Sequence, residues 1–124
     1  MTYDRNNIFA KIIRGEIPGK KVYEDEYVIA INDIAPASPV HVLVMPRGEY
    51  VSFDDFSAHA TAEQITHFFK TVAAIAKQLG VDKTGYRLIA NHGADASQSV
   101  PHFHVHLIGG RALGGLLPGD SLVR

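Results

Sequence analysis

Gln98-Ser99-Val100-Pro101-His102-Phe103-His104-Val105-His106-Leu107-Ile108-Gly109-Gly110-Arg111 is the stretch around which the chain is organised. Three of the seven histidines stand here at every second position. In an extended chain successive side chains point to opposite faces, so His102, His104 and His106 share one face and Phe103, Val105 and Leu107 the other. The pattern predicts a strand. Its apolar face can be buried against a helix, leaving imidazoles spaced roughly 6 to 7 Å apart on a rigid element.

Working outward, Ile8-Phe9-Ala10-Lys11-Ile12-Ile13-Arg14 carries an apolar stripe at helical spacing, with Asn6 or Asn7 as its cap and Gly15 as its stop. Lys21–Glu24 and Tyr27–Ile31 read as two antiparallel strands joined by a turn at Asp25-Glu26. The prolines at 36 and 39 make the segment from Asn32 to Pro39 an irregular loop. Val40–Pro46 is apolar on both faces, as a central strand should be, and only His41 breaks that pattern. Arg47 to Ser57 is polar and turn-rich. Thr61-Ala62-Glu63-Gln64 matches a capping box, and apolar residues recur from Ile65 to Leu79 at three- and four-residue spacing, predicting one long helix that ends at Gly80. Tyr86–Ala90 reads as a strand and Asn91–Ser97 as a loop. The predicted class is α+β, an antiparallel sheet of about five strands covered on one face by helix, with one long and one short helix. Residues 1–124 read as a single domain, with its core at about 7–111 and a tail at 112–124.

Twelve basic and thirteen acidic residues leave a net charge of −1, so no global field recruits nucleic acid or an anionic membrane. Cysteine is absent, which excludes disulfides, thiolate metal sites and a thiol nucleophile. No apolar run approaches the ~20 residues needed to span a bilayer, and Met1 to Asn7 lacks a signal core. A cytoplasmic location is expected.

Three imidazoles in register ask for a function, because β-branched residues would pair better at those positions. All three cannot bind one metal. They would spread over roughly 13 Å, whereas nitrogen ligands converge to about 2.0 to 2.1 Å from a zinc ion. Two of them plus His41 remain a possible metal set. Chemistry at phosphorus fits better. A neutral imidazole is a good nucleophile, its adduct is labile to water, and flanking imidazoles can donate to non-bridging oxygens. The small residues Gly93, Ala94, Ala96, Ser97 and Ser99 suit a phosphate nest of backbone N–H groups. Ser99 is placed to protonate a leaving group, and Asp33 either to hold a ribose diol or to cap a turn.

The run His102-Phe-His104-Val-His106-Leu-Ile resembles the histidine-triad pattern of the HIT superfamily. Ile8 to Pro18, Asn32 to Pro36, Pro39 to Pro46, Gln98-Ser99-Val100 and Gly109-Gly110-Arg111 are similar to its Hint branch. That resemblance implies a homodimer whose sheets join edge to edge. It also implies a hydrolase of purine nucleoside phosphoramidates that binds AMP or GMP and needs no cofactor and no metal. By position it makes His104 the nucleophile, oriented by His102 through the backbone and a network that includes His41. His106, Asn91, Ser99 and the backbone around Ser97 and Gln98 would contact phosphate. Asp33 would hold the ribose, and Ile12, Ile31 and Ile34 would wall the base. Two departures bear on specificity: Ser97 stands where many members have glycine, and Leu116-Leu117-Pro118-Gly119 lacks the tryptophan common there. The family's C-terminal segment reaches the partner's site. The competing readings are a dinucleoside polyphosphate hydrolase or nucleotide transferase of another branch, a non-catalytic nucleotide- or partner-binding module, and a zinc-binding protein.

Overall fold

The computed structural model describes residues 2–120. Helix α1 spans Ile8–Ile13, followed by strands β1 (Lys21–Glu24), β2 (Val28–Asn32) and β3 (Val40–Pro46). Helices α2 (Phe53–His59) and α3 (Ala62–Gln78) come next, then β4 (Tyr86–Ile89), a 3₁₀ turn at Ala94–Ala96 and β5 (Val105–Gly109). The five strands form one sheet, all neighbours antiparallel, in the order β1-β2-β3-β5-β4. Chain order is broken where β5 inserts between β3 and β4. The two strands that carry His41 and His106 thereby become neighbours.

The pleat divides the sheet's side chains into two cores. Val28, Ala30, Val42, Val44, Val105 and Leu107 meet Phe56 of α2 and Phe68, Val72, Ile75 and Ala76 of α3. Ile29, Ile31, Leu43 and Met45 meet Phe9 and Ile12 of α1. Helix therefore covers part of both faces, where the sequence suggested one. α1 is too short to cover its face completely, and the remainder becomes the site.

Local signals act as their chemistry demands. The Asn7 side chain accepts from Ala10 N–H at 2.9 Å, capping α1, and Gly15 takes φ +80° beyond its end. Thr61 and Gln64 close the capping box of α3 with bonds of 3.1 and 3.0 Å.

Two expectations are corrected. The turn-rich segment 47–57 runs into a helix the sequence reading did not include, α2, which begins at Phe53. It is held by Phe56, which stacks on Phe103 at 4.8 Å, and by Asp55, whose carboxylate accepts from Val51 N–H at 2.7 Å. Two phenylalanines, Phe53 and Phe56, among polar residues gave too short a periodic signal. The histidine strand is also shorter than its alternation implied. Phe103 N–H bonds to Tyr50 O at 2.7 Å instead of entering a ladder, so pairing starts only at Val105. Part of the tail is tied down: the Arg87 guanidinium donates to Gly114 O and Gly115 O at 2.9 and 3.2 Å. Among the described residues no helix is long and apolar enough to cross a membrane.

Candidate active site

The site forms on the α1 face, where odd residues of β3 and even residues of β5 emerge. Leu43 pairs with His106 and His41 with Ile108, so His41 and His106 are diagonal neighbours on adjacent strands. Their rings approach to 5.2 Å between centroids, and His41 Nε2 lies 2.9 Å from His106 Nδ1. His41 is almost wholly buried. Its Nδ1 accepts the backbone N–H of Ala37 at 3.0 Å. An accepting Nδ1 carries no hydrogen, so the hydrogen of a neutral His41 sits on Nε2 and is donated to His106 Nδ1. His106 must then carry its own hydrogen on Nε2. The sequence's one polar residue on a central strand is the second link of a relay that makes His106 a donor.

His104 is set in the opposite sense. Its Nδ1 donates to the backbone carbonyl of His102 at 2.7 Å, which leaves an unprotonated Nε2 with a free lone pair. Phe9 meets its ring edge-on at 4.9 Å, and the His106 ring lies 5.2 Å away. His102 is fully buried and sits below this surface. Its Nε2 donates to Pro46 O at 2.7 Å, and its Nδ1 accepts from the Tyr3 hydroxyl at 2.6 Å. The expected link between His102 and His41 is not formed. His102 belongs with Tyr3 and Pro46, and His41 with Ala37, Asp33 and His106.

Burial lowers the pKa of His104, opposed in part by its bond to His102 O and by the nearby Asp33 carboxylate. His102 is pushed down to about 4 by burial, against the pull of the Pro46 carbonyl. Burial also takes His106 to about 4, helped by the neighbouring His104 and His41 rings. The triad is therefore uncharged near pH 7, as a nucleophilic imidazole requires.

A cavity of about 420 Å³ opens beside these rings, within the size range of small-molecule sites. Its apolar wall includes Ile8, Phe9, Ile12, Ile31, Ile34, Leu43 and Val100, and its polar lining includes Asp33, Asn91, Ser97, Gln98, Ser99, His104 and His106. The expected set is thus brought together except for His102 and His41, which stand behind the lining. Asp33 fills the turn role read for it, with Oδ1 accepting from Ala35 N–H at 2.8 Å, while its Oδ2 lies 3.4 Å from His41 Nε2 on the cavity lining.

Part of the expected phosphate nest is already committed. Ser97 N–H bonds to Ala94 O at 3.0 Å and Gln98 N–H to Gly93 O at 3.1 Å, so neither is free for an anion. The Gln98 side chain is likewise committed. It accepts from Gly93 N–H and donates to Val51 O and Val100 O, clasping the loop shut. Donors that line the cavity with no partner among the described residues include the Asn91 amide, the Ser99 hydroxyl and His106 Nε2–H. Sequence reasoning missed Tyr3 and Phe9. Phe9 was legible as part of the α1 stripe, but nothing in the sequence marks Tyr3.

Asp33, His41 and His106 are the described residues whose donor atoms cluster closely enough to hold a metal, within 4.8 Å of one another. In this structure those atoms are turned on each other, with the His41–His106 hydrogen bond between them.

The model of the HIT domain family matches residues 14–113. A 13.2 kDa HIT-like protein of Azospirillum brasilense, itself uncharacterized, is 51% identical over 116 residues, covering 94% of this chain and 95% of that one. The purine nucleoside phosphoramidase of Escherichia coli K12 is 47% identical over 116 residues, covering 93% of this chain and 96% of that one. A HIT family hydrolase from Clostridium thermocellum superposes with a TM-score of 0.84 at 41% identity, covering 92% of this chain and 98% of that one. Histidine alternation, an antiparallel sheet with its site over β3 and β5, and these matches together place the chain in the HIT domain family.

Proposed function

We propose that this protein hydrolyses purine nucleoside 5′-phosphoramidates, cleaving the P–N bond to give a nucleoside monophosphate and an amine. The carrying observation is the opposite setting of two imidazoles on one cavity: His104 offers a lone pair and His106 a hydrogen. The E. coli relative's name supports the choice of bond.

In the first step His104 Nε2 attacks phosphorus, a P–N bond to His104 forms, and the substrate's P–N bond breaks. The departing nitrogen takes a proton from the Ser99 hydroxyl or a water it orders. In the second step water attacks phosphorus, the bond to His104 breaks, and the water's protons end on the monophosphate and the restored site. His106 Nε2–H and the Asn91 amide donate to the non-bridging oxygens, where charge concentrates. Asp33 holds the ribose, and Ile12, Ile31 and Ile34 enclose the base. The scheme uses no metal and no cofactor. The same reading makes the chain a homodimer. The edge strand β4 exposes Tyr86 and Leu88, which a second copy pairing edge to edge would cover.

The test is AMP release from an adenosine 5′-phosphoramidate by wild type and His104→Ala, beside a dinucleoside polyphosphate. Wild type should turn over the phosphoramidate preferentially. The variant should lose about 10⁴-fold or more in kcat while still binding AMP. Binding of AMP without turnover of either substrate would replace the enzyme with a nucleotide-binding module, and preference for the polyphosphate would move it to another branch.

A further inference from the structure

We propose that Tyr3 is a positioning residue for His104, acting through His102. The proposal rests on the hydrolase reading for its kinetic part and stands alone for its structural part.

Both ring nitrogens of His102 are inside the protein, where no water can satisfy them. Nε2–H reaches Pro46 O, and Nδ1 has one partner, the Tyr3 hydroxyl at 2.6 Å. Two bonds at opposite edges fix the ring's rotation about both side-chain torsions. The Tyr3 ring also packs edge-on against it, at 5.6 Å between centroids and 72° between planes. Phe9 touches the rings of both His102 and His104 edge-on, at 6.4 and 4.9 Å. His102 has no ladder to hold its backbone, because β5 begins three residues later. Its carbonyl, the acceptor that sets the tautomer of His104, shares a planar peptide with Phe103 N–H, which bonds to Tyr50 O at 2.7 Å. The Cα end of that peptide is set by what the ring does. Tyr3 holds the ring.

The tyrosine is itself held. Asn7 N–H and its side-chain amide both donate to Asp4 O, Arg5 pairs with Glu49 at 2.7 Å, and Arg14 donates to Arg5 O at 2.9 Å. The segment ahead of α1 is thus closed on itself between residues 4 and 7 and fastened to the body through Arg5 and the Asn7 cap. It delivers one phenol to the buried nitrogen.

Tyr3→Phe removes one oxygen and leaves the ring contacts. Two readouts decide its meaning, with Tyr27→Phe as control, since the Tyr27 hydroxyl has no partner among the described residues. In long-range ¹H–¹⁵N correlation spectra near neutral pH, wild-type His104 should show a pure Nδ1–H tautomer. Tyr3→Phe should show a mixture, and Tyr27→Phe the wild-type pattern. On an adenosine phosphoramidate, kcat should fall about tenfold in Tyr3→Phe, with KM and AMP affinity little changed. An unaltered His104 tautomer and unaltered kcat, with only a lower melting temperature, would overturn the proposal and leave Tyr3 a packing residue. A rise in KM matching the loss in kcat/KM would overturn it too, by locating the damage in the nucleotide pocket. If wild type hydrolyses nothing, the hydrolase reading falls while the tautomer of His104 still decides the role of Tyr3.

Discussion

His41 Nε2 lies 2.9 Å from His106 Nδ1, and the backbone N–H of Ala37 on the far nitrogen of His41 dictates which of the two carries the hydrogen. The bond is an electronic setting as much as a contact. Removing His41 frees His106 to place its hydrogen on either nitrogen, and half of the possible arrangements then present a lone pair to a phosphate oxygen. His41→Ala should lower kcat about 10- to 100-fold, the usual loss for residues that orient a functional imidazole. His41→Gln, whose amide can still donate to His106, should recover part of it. Steady-state kinetics on the three proteins checks this, and equal activity of wild type and His41→Ala would sink the relay.

The buried triad makes stability fall on the acid side. The folded pKa of His102 is about 4, below the ~6.5 of an exposed imidazole, so between these values the unfolded chain binds more protons than the folded one. Stability from this residue is fully present above pH ~6.5 and drains away as pH falls towards 4. The loss is on the order of 3 kcal/mol for His102, with His106 adding a share in the same direction. Urea midpoints at pH 7.5 and 4.5 measure it. His102→Phe, which has no ring nitrogen to protonate, should show a flatter pH dependence than wild type.

These relationships mark where the sequence is legible. Alternation placed His104 and His106 on one face because a pleat allows nothing else, and apolarity on both faces marked β3 as central. It did not reveal that His102 turns inward, because the run leaves the sheet at residue 104 and the reason, Tyr50 O, lies half a chain away. The nest was legible only in part for a related cause. Small residues permit a backbone to approach an anion, but here the N–H groups of Gly93, Ser97 and Gln98 close the loop upon itself. Tyr3 was invisible because a single phenol has no period, and 99 residues separate it from its partner.

Ser97 has φ 58° and ψ 40°, and it is the sole non-glycine residue with positive φ among those described. It ends the 3₁₀ turn on the rim of the cavity. A left-handed backbone costs a side-chain-bearing residue roughly 1 to 2 kcal/mol, while glycine gives back about 0.4 to 1 through its freer unfolded chain. Ser97→Gly should therefore stay within about 1 kcal/mol of wild type, because the two effects nearly cancel. Ser97→Val, with a branched Cβ in that conformation, should lose about 1 to 2 kcal/mol. Chemical denaturation compares them, and equal stability of the two variants would show that the loop relaxes out of the left-handed region.

Asp25 ties the β1–β2 hairpin to α3, on the face opposite the cavity. Its carboxylate accepts from the Tyr23 hydroxyl at 2.6 Å, from Tyr27 and Val28 N–H at 2.8 Å each, and from His67 Nε2 at 2.7 Å. Burial alone would raise its pKa, but these four donors outweigh it and bring the value down to about 2. A depressed carboxylate contributes stability above its unfolded pKa of ~3.9, and that contribution is lost as pH falls towards 2, below the window in which the triad acts. Asp25→Ala leaves the two backbone donors without their acceptor and should cost about 2 kcal/mol, whereas Asp25→Asn, which keeps an acceptor oxygen, should cost about half of that. Neither change touches the α1 face, so kcat and KM measured well below the melting temperature should match wild type. A drop in kcat in Asp25→Asn at unchanged folded fraction would show that the hairpin and the site are coupled through β2.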